Sequence, residues 1–234
     1  MPEEINRVVT DTISDYLFTT EKNAQKNLEN EGIDPKKIFF VGNVMIDTLL
    51  KHKKSAQKSA VHKKLGIKKG NYALITLHRP SNVDTKEMLS KLIEMVSNIS
   101  KKIPIVFPVH PRTRKNISSF NLEKKIQNKD IIITEPQGYL DFLCLIAHAK
   151  LVLTDSGGIQ EETTVLGVPC ITLRENTERP VTIEQGTNIL LSTDTKKIEK
   201  TVNDLLSGKI IVRGKIPELW DGKAAQRIVQ ILLK

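Results

Sequence analysis

The segment Thr154-Asp155-Ser156-Gly157-Gly158-Ile159-Gln160-Glu161-Glu162 carries residue types suited to holding a phosphorylated ligand. An apolar run, Lys150 to Leu153, precedes it and reads as a buried strand. The Ser-Gly-Gly turn lets backbone approach a ligand closely, and Ile159 to Leu166 begins a helix whose first N–H groups lack intrahelical acceptors. Such a helix start binds anions. Glu162 follows where a carboxylate can accept hydrogen bonds from a ribose while a diphosphate rests on the N–H groups, which points to a nucleoside diphosphate. The same nine residues also suit a ligand-free strand, turn and helix, because a cap at Asp155 or Ser156 and early carboxylates stabilise any helix start. On this segment alone both readings stand.

Two further polar motifs follow apolar runs: His78-Arg79 after Tyr72–Leu77, and His110 after Ile105–Val109. A histidine at a strand end is by itself more often structural, but beside an anion cradle it favours function. The elements that must position these groups alternate along the chain. Tyr72–Leu77, Ile105–Val109, Ile131–Thr134, Leu151–Thr154 and Cys170–Leu173 read as strands, and Met88–Ile99, Tyr139–Ala149 and Ile159–Leu166 as helices. That order predicts an α/β fold, a Rossmann-like parallel sheet with right-handed crossovers. Ligands of such sheets bind beyond the carboxyl ends of the strands, where all three motifs fall.

The 234 residues, 39% hydrophobic and 27% charged, suffice for one substantial domain or two small ones. No apolar run approaches the roughly 18 residues of a membrane span, and Met1-Pro2-Glu3-Glu4 is unlike a signal peptide, so the expectation is a cytoplasmic protein with no membrane partner. The formal charge of +9 is spread over Lys51–Lys69, Lys101–Lys102, Lys124–Lys125 and Lys197–Lys200, between apolar segments. With 4% aromatic residues and no recognition motif, it argues against nucleic acid, though a basic surface attracts a nucleotide sugar. Cys144 and Cys170 lie in apolar surroundings and read as buried small hydrophobes, with no metal or disulfide role.

Residues 1–50 fit the sheet poorly. Ile5 to Ile13 reads as a helix, Tyr16–Phe18 as a strand, Glu21–Glu31 as a helix and Ile38–Val41 as a strand, together the C-terminal remnant of a first Rossmann-like domain. Residues 51–215 form the expected ligand-binding Rossmann-like domain, with Lys51 to Lys69 a helix end and solvated connector. Residues 216–234 supply a C-terminal helix packing back toward the first domain, anchored by Trp220.

Taken together, Pro2-Glu3-Glu4-Ile5-Asn6-Arg7, Val41-Gly42-Asn43 with Asp47, Thr76-Leu77-His78-Arg79-Pro80, Pro108-Val109-His110-Pro111, Pro136-Gln137-Gly138-Tyr139-Leu140, the Ser-Gly-Gly segment, Glu178-Arg179-Pro180 and Glu184-Gln185-Gly186-Thr187 resemble the non-hydrolysing UDP-N-acetylglucosamine 2-epimerases in order and spacing. The resemblance covers the C-terminal two-thirds of that family. It implies two Rossmann-like domains of the glycosyltransferase-B (GT-B) kind, of which this chain holds the end of the first and the whole second. It also implies that the first domain's strands, its phosphate loop and two proton-transfer acids lie outside these residues, so that turnover needs an N-terminal half, separately encoded or otherwise supplied.

The implied reaction interconverts UDP-N-acetylglucosamine and UDP-N-acetylmannosamine, precursors of cell-surface polysaccharide, by elimination of UDP to 2-acetamidoglucal and re-addition. It needs neither metal nor nicotinamide, hence no cofactor. By resemblance Glu3 and His78 are catalytic. Ser156, Gly157 and Gly158 hold the diphosphate, Glu162 the ribose and Arg179 a phosphate, with Phe142 at the uracil. Arg79 and His110 match contacts to a second, allosteric UDP-N-acetylglucosamine. Glu3 as an early helix acid, Phe142 as an ordinary helix residue and Arg179 as a surface partner of Glu178 are the plain alternatives. Homodimers are usual in the family. The competing functions are a noncatalytic UDP-binding remnant, the hydrolysing 2-epimerase, whose cradle tends to read Asn-Ser-Ser-Ser-Gly, and, more distantly, a GT-B glycosyltransferase.

Overall fold

Short apolar runs alternating with amphipathic stretches make an α/β protein, seen in a computed structural model that describes residues 2–233, the side chains of Pro2 and Glu3 excepted. From its N-terminus the chain forms α1 (Pro2–Ile13), β1 (Leu17–Thr19), α2 (Lys22–Asn30), β2 (Ile38–Phe40) and α3 (Val44–Ala56). There follow α4 (Val61–Leu65), β3 (Ala73–Thr76), α5 (Pro80–Val83), α6 (Lys86–Ser100), β4 (Ile105–Pro108), α7 (Pro111–Ser119), α8 (Glu123–Ile126) and β5 (Ile131–Thr134). The remainder forms α9 (Tyr139–Ala147), β6 (Leu151–Thr154), α10 (Gly157–Leu166), β7 (Cys170–Thr172), α11 (Pro180–Glu184), β8 (Asn188–Leu190), α12 (Thr195–Leu206) and α13 (Ala224–Leu232). Among the described residues no helix is long and apolar enough to cross a membrane. The chain divides into two units, one joining the residues up to Lys51 with those from Pro217 onward, the other spanning His52–Ile216.

In the smaller unit β1 and β2 pair in parallel, Leu17 opposite Ile38, over a small core of Leu17, Leu28 and Ile38. Its last helix is tied in by polar contacts. The Asp47 carboxylate accepts the N–H groups of Ala224 and Ala225 at 3.1 and 2.8 Å, capping the positive end of α13. Arg227 donates to the Val41 carbonyl at 3.0 Å, and the buried Trp220 donates its indole N–H to the Thr20 carbonyl at 2.9 Å. Gly42 sits at φ +90° with its Cα hydrogen against the Leu219 carbonyl, where a Cβ would lie 2.1 Å from the oxygen.

The larger unit is a six-stranded parallel sheet in the order β5-β4-β3-β6-β7-β8. A parallel sheet covered on both faces has strands that are apolar throughout, and β3, β4, β6 and β7 are buried nearly end to end. Alternate residues serve opposite layers. Ala73, Ile75, Ile105, Phe107, Leu151, Leu153 and Ile171 join Leu89, Leu92, Ile93 and Val96 of α6 and Ile198 and Val202 of α12 in one core. Each large side chain buried there contributes about 1.5–3 kcal/mol. The intervening Leu74, Val106, Val152 and Cys170 are equally buried, with α10 packed against β6 and β7, and α9 against α10 and α4.

Both lysine runs lie on helices that the sequence reading did not trace in full. The run Lys197–Lys200 belongs to α12, whose Ile198, Val202 and Leu205 at helical spacing are buried while the lysines face out. The stretch Lys51–Lys69 is more than a solvated connector: it contains the end of α3 and all of α4, whose Val61 and His62 are buried.

Candidate functional site

Along the chain the sheet grows outward from β3 through β4 to β5, then returns so that β6 lies on the other side of β3. The crevice at such a reversal, beyond the strand ends, is where doubly wound sheets bind ligands. Here Thr76 and Thr154, the last residues of β3 and β6, join hydroxyls at 2.7 Å, and the next residues diverge. The diverging loops wall a cavity of about 210 Å³ whose lining includes His78, His110, Gln137, Phe142, Ser156 and Ile159. Four residues expected from the sequence thus come together: His78, His110, Phe142 and Ser156.

The start of α10 is open. At three other helix starts in this unit a side chain takes up a first-turn N–H: Thr85 accepts from Met88 at 3.3 Å, His110 from Arg112 at 3.2 Å, Asp194 from Lys197 at 3.1 Å; α4, α5, α8, α9 and α11 carry no such cap, so the open start gains its meaning from its place at the sheet's reversal. Ser156 occupies the same place before α10 and makes no such bond, its own N–H being donated to Thr154 Oγ1 at 3.0 Å. A Cβ added at Gly157 would meet nothing within 4 Å, so there is room above the first turn. The exposed N–H groups and the helix dipole together favour an anion.

Asp155 does not cap that helix, as the sequence allowed. It is fully buried and turned back beneath β3, where Oδ2 accepts the N–H groups of His78 and Arg79, both at 2.9 Å, and the Asn82 amide at 3.1 Å. Oδ1 accepts Nδ1–H of the His78 ring at 2.7 Å. Burial alone would raise the carboxyl, but the His78 ring, the Arg79 N–H and the His78 N–H outweigh it and hold Asp155 below the ordinary carboxylate range. A carboxylate bound at Nδ1 fixes the ring's orientation and leaves Nε2 unprotonated in the neutral imidazole. Asp155 is therefore the orienting group that sequence reasoning missed; its position between β6 and the cradle was visible, its target was not.

Glu162 is buried one turn into α10, and burial followed by the adjacent Glu161 carboxylate pushes it up to about 7. Its charge also raises Tyr139, after burial of that phenol. Arg179 stands at the start of α11 and pairs with Glu161, Nε to Oε1 at 2.6 Å. The expected alternative, an ion pair with Glu178, is corrected: Arg179 reaches only the Glu178 carbonyl, at 3.0 Å, while the carboxylate is held bidentately by Arg174 at 2.6 and 2.7 Å. Arg174, with burial opposing and Arg79 assisting, brings Glu178 down to about 2. Arg174 is a second residue the sequence reading passed over, although it too follows a strand end, that of β7. Glu162, Arg179, Arg79, Gly157 and Gly158 are not walls of the cavity itself among the described residues. The side chain of Glu3 lies outside the described residues.

Gly186, from the Glu184-Gln185-Gly186-Thr187 motif, has a packing role. A Cβ there would sit 2.4 Å from Thr164 Oγ1 and 2.5 Å from the Thr182 carbonyl oxygen, so only glycine lets the loop after α11 lie against α10.

Against known proteins, residues 1–233 match the family model described as UDP-N-acetylglucosamine 2-epimerase. The chain is 48% identical over 239 residues to the UDP-N-acetylglucosamine 2-epimerase of Methanocaldococcus jannaschii, covering 99% of this chain and 64% of the relative. The crystal structure of the M. jannaschii enzyme in complex with UDP-GlcNAc and UDP superposes with a TM-score of 0.89 at 47% identity, over 100% of this chain and 65% of that one. The Neisseria meningitidis enzyme bound to UDP-GlcNAc gives 0.86 at 30% identity, over 99% and 65%. The chain thus spans about 64% of the length of the curated relatives it matches.

Proposed function

The chain belongs to the UDP-N-acetylglucosamine 2-epimerase family, and from that premise we propose that it binds the UDP part of UDP-N-acetylglucosamine and supplies groups for inversion at C2 of the sugar. The observation that carries this reading is the uncapped start of α10 at the sheet's reversal point, opening on the same cavity as a histidine held by a buried carboxylate. Two solved relatives hold UDP-GlcNAc, one of them with UDP as well.

In this reading the N–H groups of Gly157 and Gly158 and the Ser156 hydroxyl take the diphosphate, and Arg179 neutralises one phosphate through its guanidinium fork. Glu162 accepts the ribose hydroxyls, and Phe142 lies beside the uracil. The reaction breaks the C2–H and C1–O bonds and forms a C1=C2 double bond, releasing UDP and leaving 2-acetamidoglucal. Return of UDP to C1 with a proton placed on the other face of C2 gives the inverted sugar. His78, oriented by Asp155, faces the leaving diphosphate in this reading; it donates there from Nε2 as the imidazolium, whose charge the Asp155 carboxylate at Nδ1 balances. Glu3 is assigned a proton-transfer role by its motif alone. The acids for the opposite face belong to the part of the family's length outside these residues, supplied by the same polypeptide or a separately encoded half. Arg79 and His110 are assigned to a second UDP-N-acetylglucosamine, and the assembly to a homodimer.

Calorimetry with UDP tests the binding, and incubation with UDP-N-acetylglucosamine, with and without the rest of the family's length, tests the chemistry. Inversion at C2 with retention of the UDP linkage is expected when that portion is present. Release of free N-acetylmannosamine and UDP would assign the hydrolysing reaction instead, UDP binding without inversion a noncatalytic role, and absence of UDP binding would remove the proposal altogether.

A further inference from the structure

Three metal-binding donors that the proposed reaction does not use meet on the α4 and α9 side of the sheet. Cys144 lies in α9 and is buried; His148 follows one turn later and is half-buried; His62 reaches them from α4 and is buried. The Nδ1 atoms of His62 and His148 stand 3.7 and 3.8 Å from Cys144 Sγ, and one donor atom from each of the three lies within 4.8 Å of the others. A tetrahedral ion with sulfur at about 2.3 Å and nitrogen at about 2.05 Å sets neighbouring S and N ligands about 3.6 Å apart. The two sulfur-to-nitrogen separations are close to that spacing.

The hydrogen bonds behind His62 set its tautomer. The Tyr72 hydroxyl is 2.6 Å from the Leu145 carbonyl, which can only accept, so the phenol donates there and its oxygen receives Nε2–H of His62 at 3.0 Å. Nδ1 of His62 is therefore a lone pair directed at Cys144. A ligating imidazole held through its far N–H in this way is the usual support of a metal ligand.

We infer that His62, Cys144 and His148 form a zinc site, with water as fourth ligand. One thiolate and two imidazoles suit Zn²⁺ and exclude the oxygen-seeking Mg²⁺ and Ca²⁺. On binding, the Cys144 S–H proton leaves to solvent as the Zn–S bond forms. His148 gives up the Nδ1–H bond it makes to the Cys144 carbonyl at 2.9 Å, its proton passing to Nε2 through solvent. The ion ties α4 to the C-terminal end of α9, the helix whose Phe142 walls the nucleotide cavity.

The test uses the full chain, stripped of metal and reduced. Titration with Co²⁺ should bring up thiolate-to-cobalt charge-transfer absorption that saturates at one equivalent and is displaced by Zn²⁺. Zn²⁺ at a hundredfold excess over its dissociation constant should raise Tm by about 5–10 °C. Both effects should vanish in Cys144→Ser, while His52 and His110 remain to report adventitious binding. Absence of the charge-transfer absorption in the unaltered chain, or its persistence in Cys144→Ser, overturns the site and leaves a packed neutral cluster. Should Cys144→Ser fail to fold, His148→Ala at the half-buried edge decides: unchanged stoichiometry and absorption there also overturn the three-ligand site.

Discussion

Replacing Asp155 by asparagine keeps the shape of the side chain and removes its charge, so it isolates what the carboxylate does. Oδ2 faces three donors, the N–H groups of His78 and Arg79 and the Asn82 amide, at 2.9, 2.9 and 3.1 Å. The asparagine oxygen must stay there, which turns its NH₂ group toward Nδ1 of His78 at the present 2.7 Å. Two donors cannot face each other, so the neutral ring takes the opposite tautomer, with Nδ1 accepting and Nε2 carrying the hydrogen. Three hydrogen bonds also fall from the charged class, about 1.5–3 kcal/mol each, to the neutral class, about 0.5–1.5, which predicts a loss of at least about 3 kcal/mol.

The pH dependence has a definite sign. The Asp155 carboxyl is lowered in the fold, so its stabilisation is present above the unfolded value of about 3.9 and is lost as pH falls through the folded value. Urea denaturation should therefore show a gap of at least about 3 kcal/mol between the unaltered chain and Asp155→Asn at pH 7, narrowing only below about pH 4. Long-range ¹⁵N–¹H spectra should show the His78 ring changing tautomer. Equal stability at pH 7, or a His78 ring that keeps its hydrogen on Nδ1 in Asp155→Asn, would refute the assignment of Asp155 as the orienting group.

Glu162→Gln should exchange binding for stability. The carboxyl is raised to about 7, so ionising it in the fold carries no penalty below about pH 4.5, a growing one to pH 7 and the full amount above; denaturation at pH 8 should show a gain of up to about 3 kcal/mol that disappears at pH 4.5, while calorimetry shows weaker UDP binding. Arg179→Ala removes a charge-assisted phosphate contact worth about 1.5–3 kcal/mol, so UDP affinity should fall about 10- to 150-fold; an unchanged dissociation constant would reject the arginine from the phosphate site. Gly186→Ala forces a methyl to within 2.4 Å of Thr164 Oγ1 and should destabilise by about 1–3 kcal/mol in thermal unfolding. Asp47→Ala uncaps α13, which donates two N–H bonds to it, and should lower stability by about 1 kcal/mol in urea denaturation.

Strands such as Ile131–Thr134 and Leu151–Thr154 were legible to the residue, and α10 nearly so, because a short apolar run rich in β-branched or aliphatic residues and a turn followed by helical spacing are local patterns. The short β8, Asn188–Leu190, was not. Three residues carry too little periodicity, and its strand state comes from pairing with β7, Cys170 opposite Asn188. The helix α12 was hidden by its lysines, whose solvated side obscured the buried Ile198 and Val202.

What the sequence by itself determined is the inventory: an α/β chain, polar motifs at strand ends, a glycine-opened helix start, and a family pattern spread over its length. The tertiary structure decided partnership. Asp155 reads locally as a helix cap and becomes the anchor of a ring 77 residues earlier; Cys144 reads as a small hydrophobe and meets His62 from 82 residues away. Propensity and periodicity act over a few residues, whereas a carboxylate or a thiol takes its role from whichever donors and acceptors the sheet order brings within about 3–4 Å, and that order is set by burial of the whole chain.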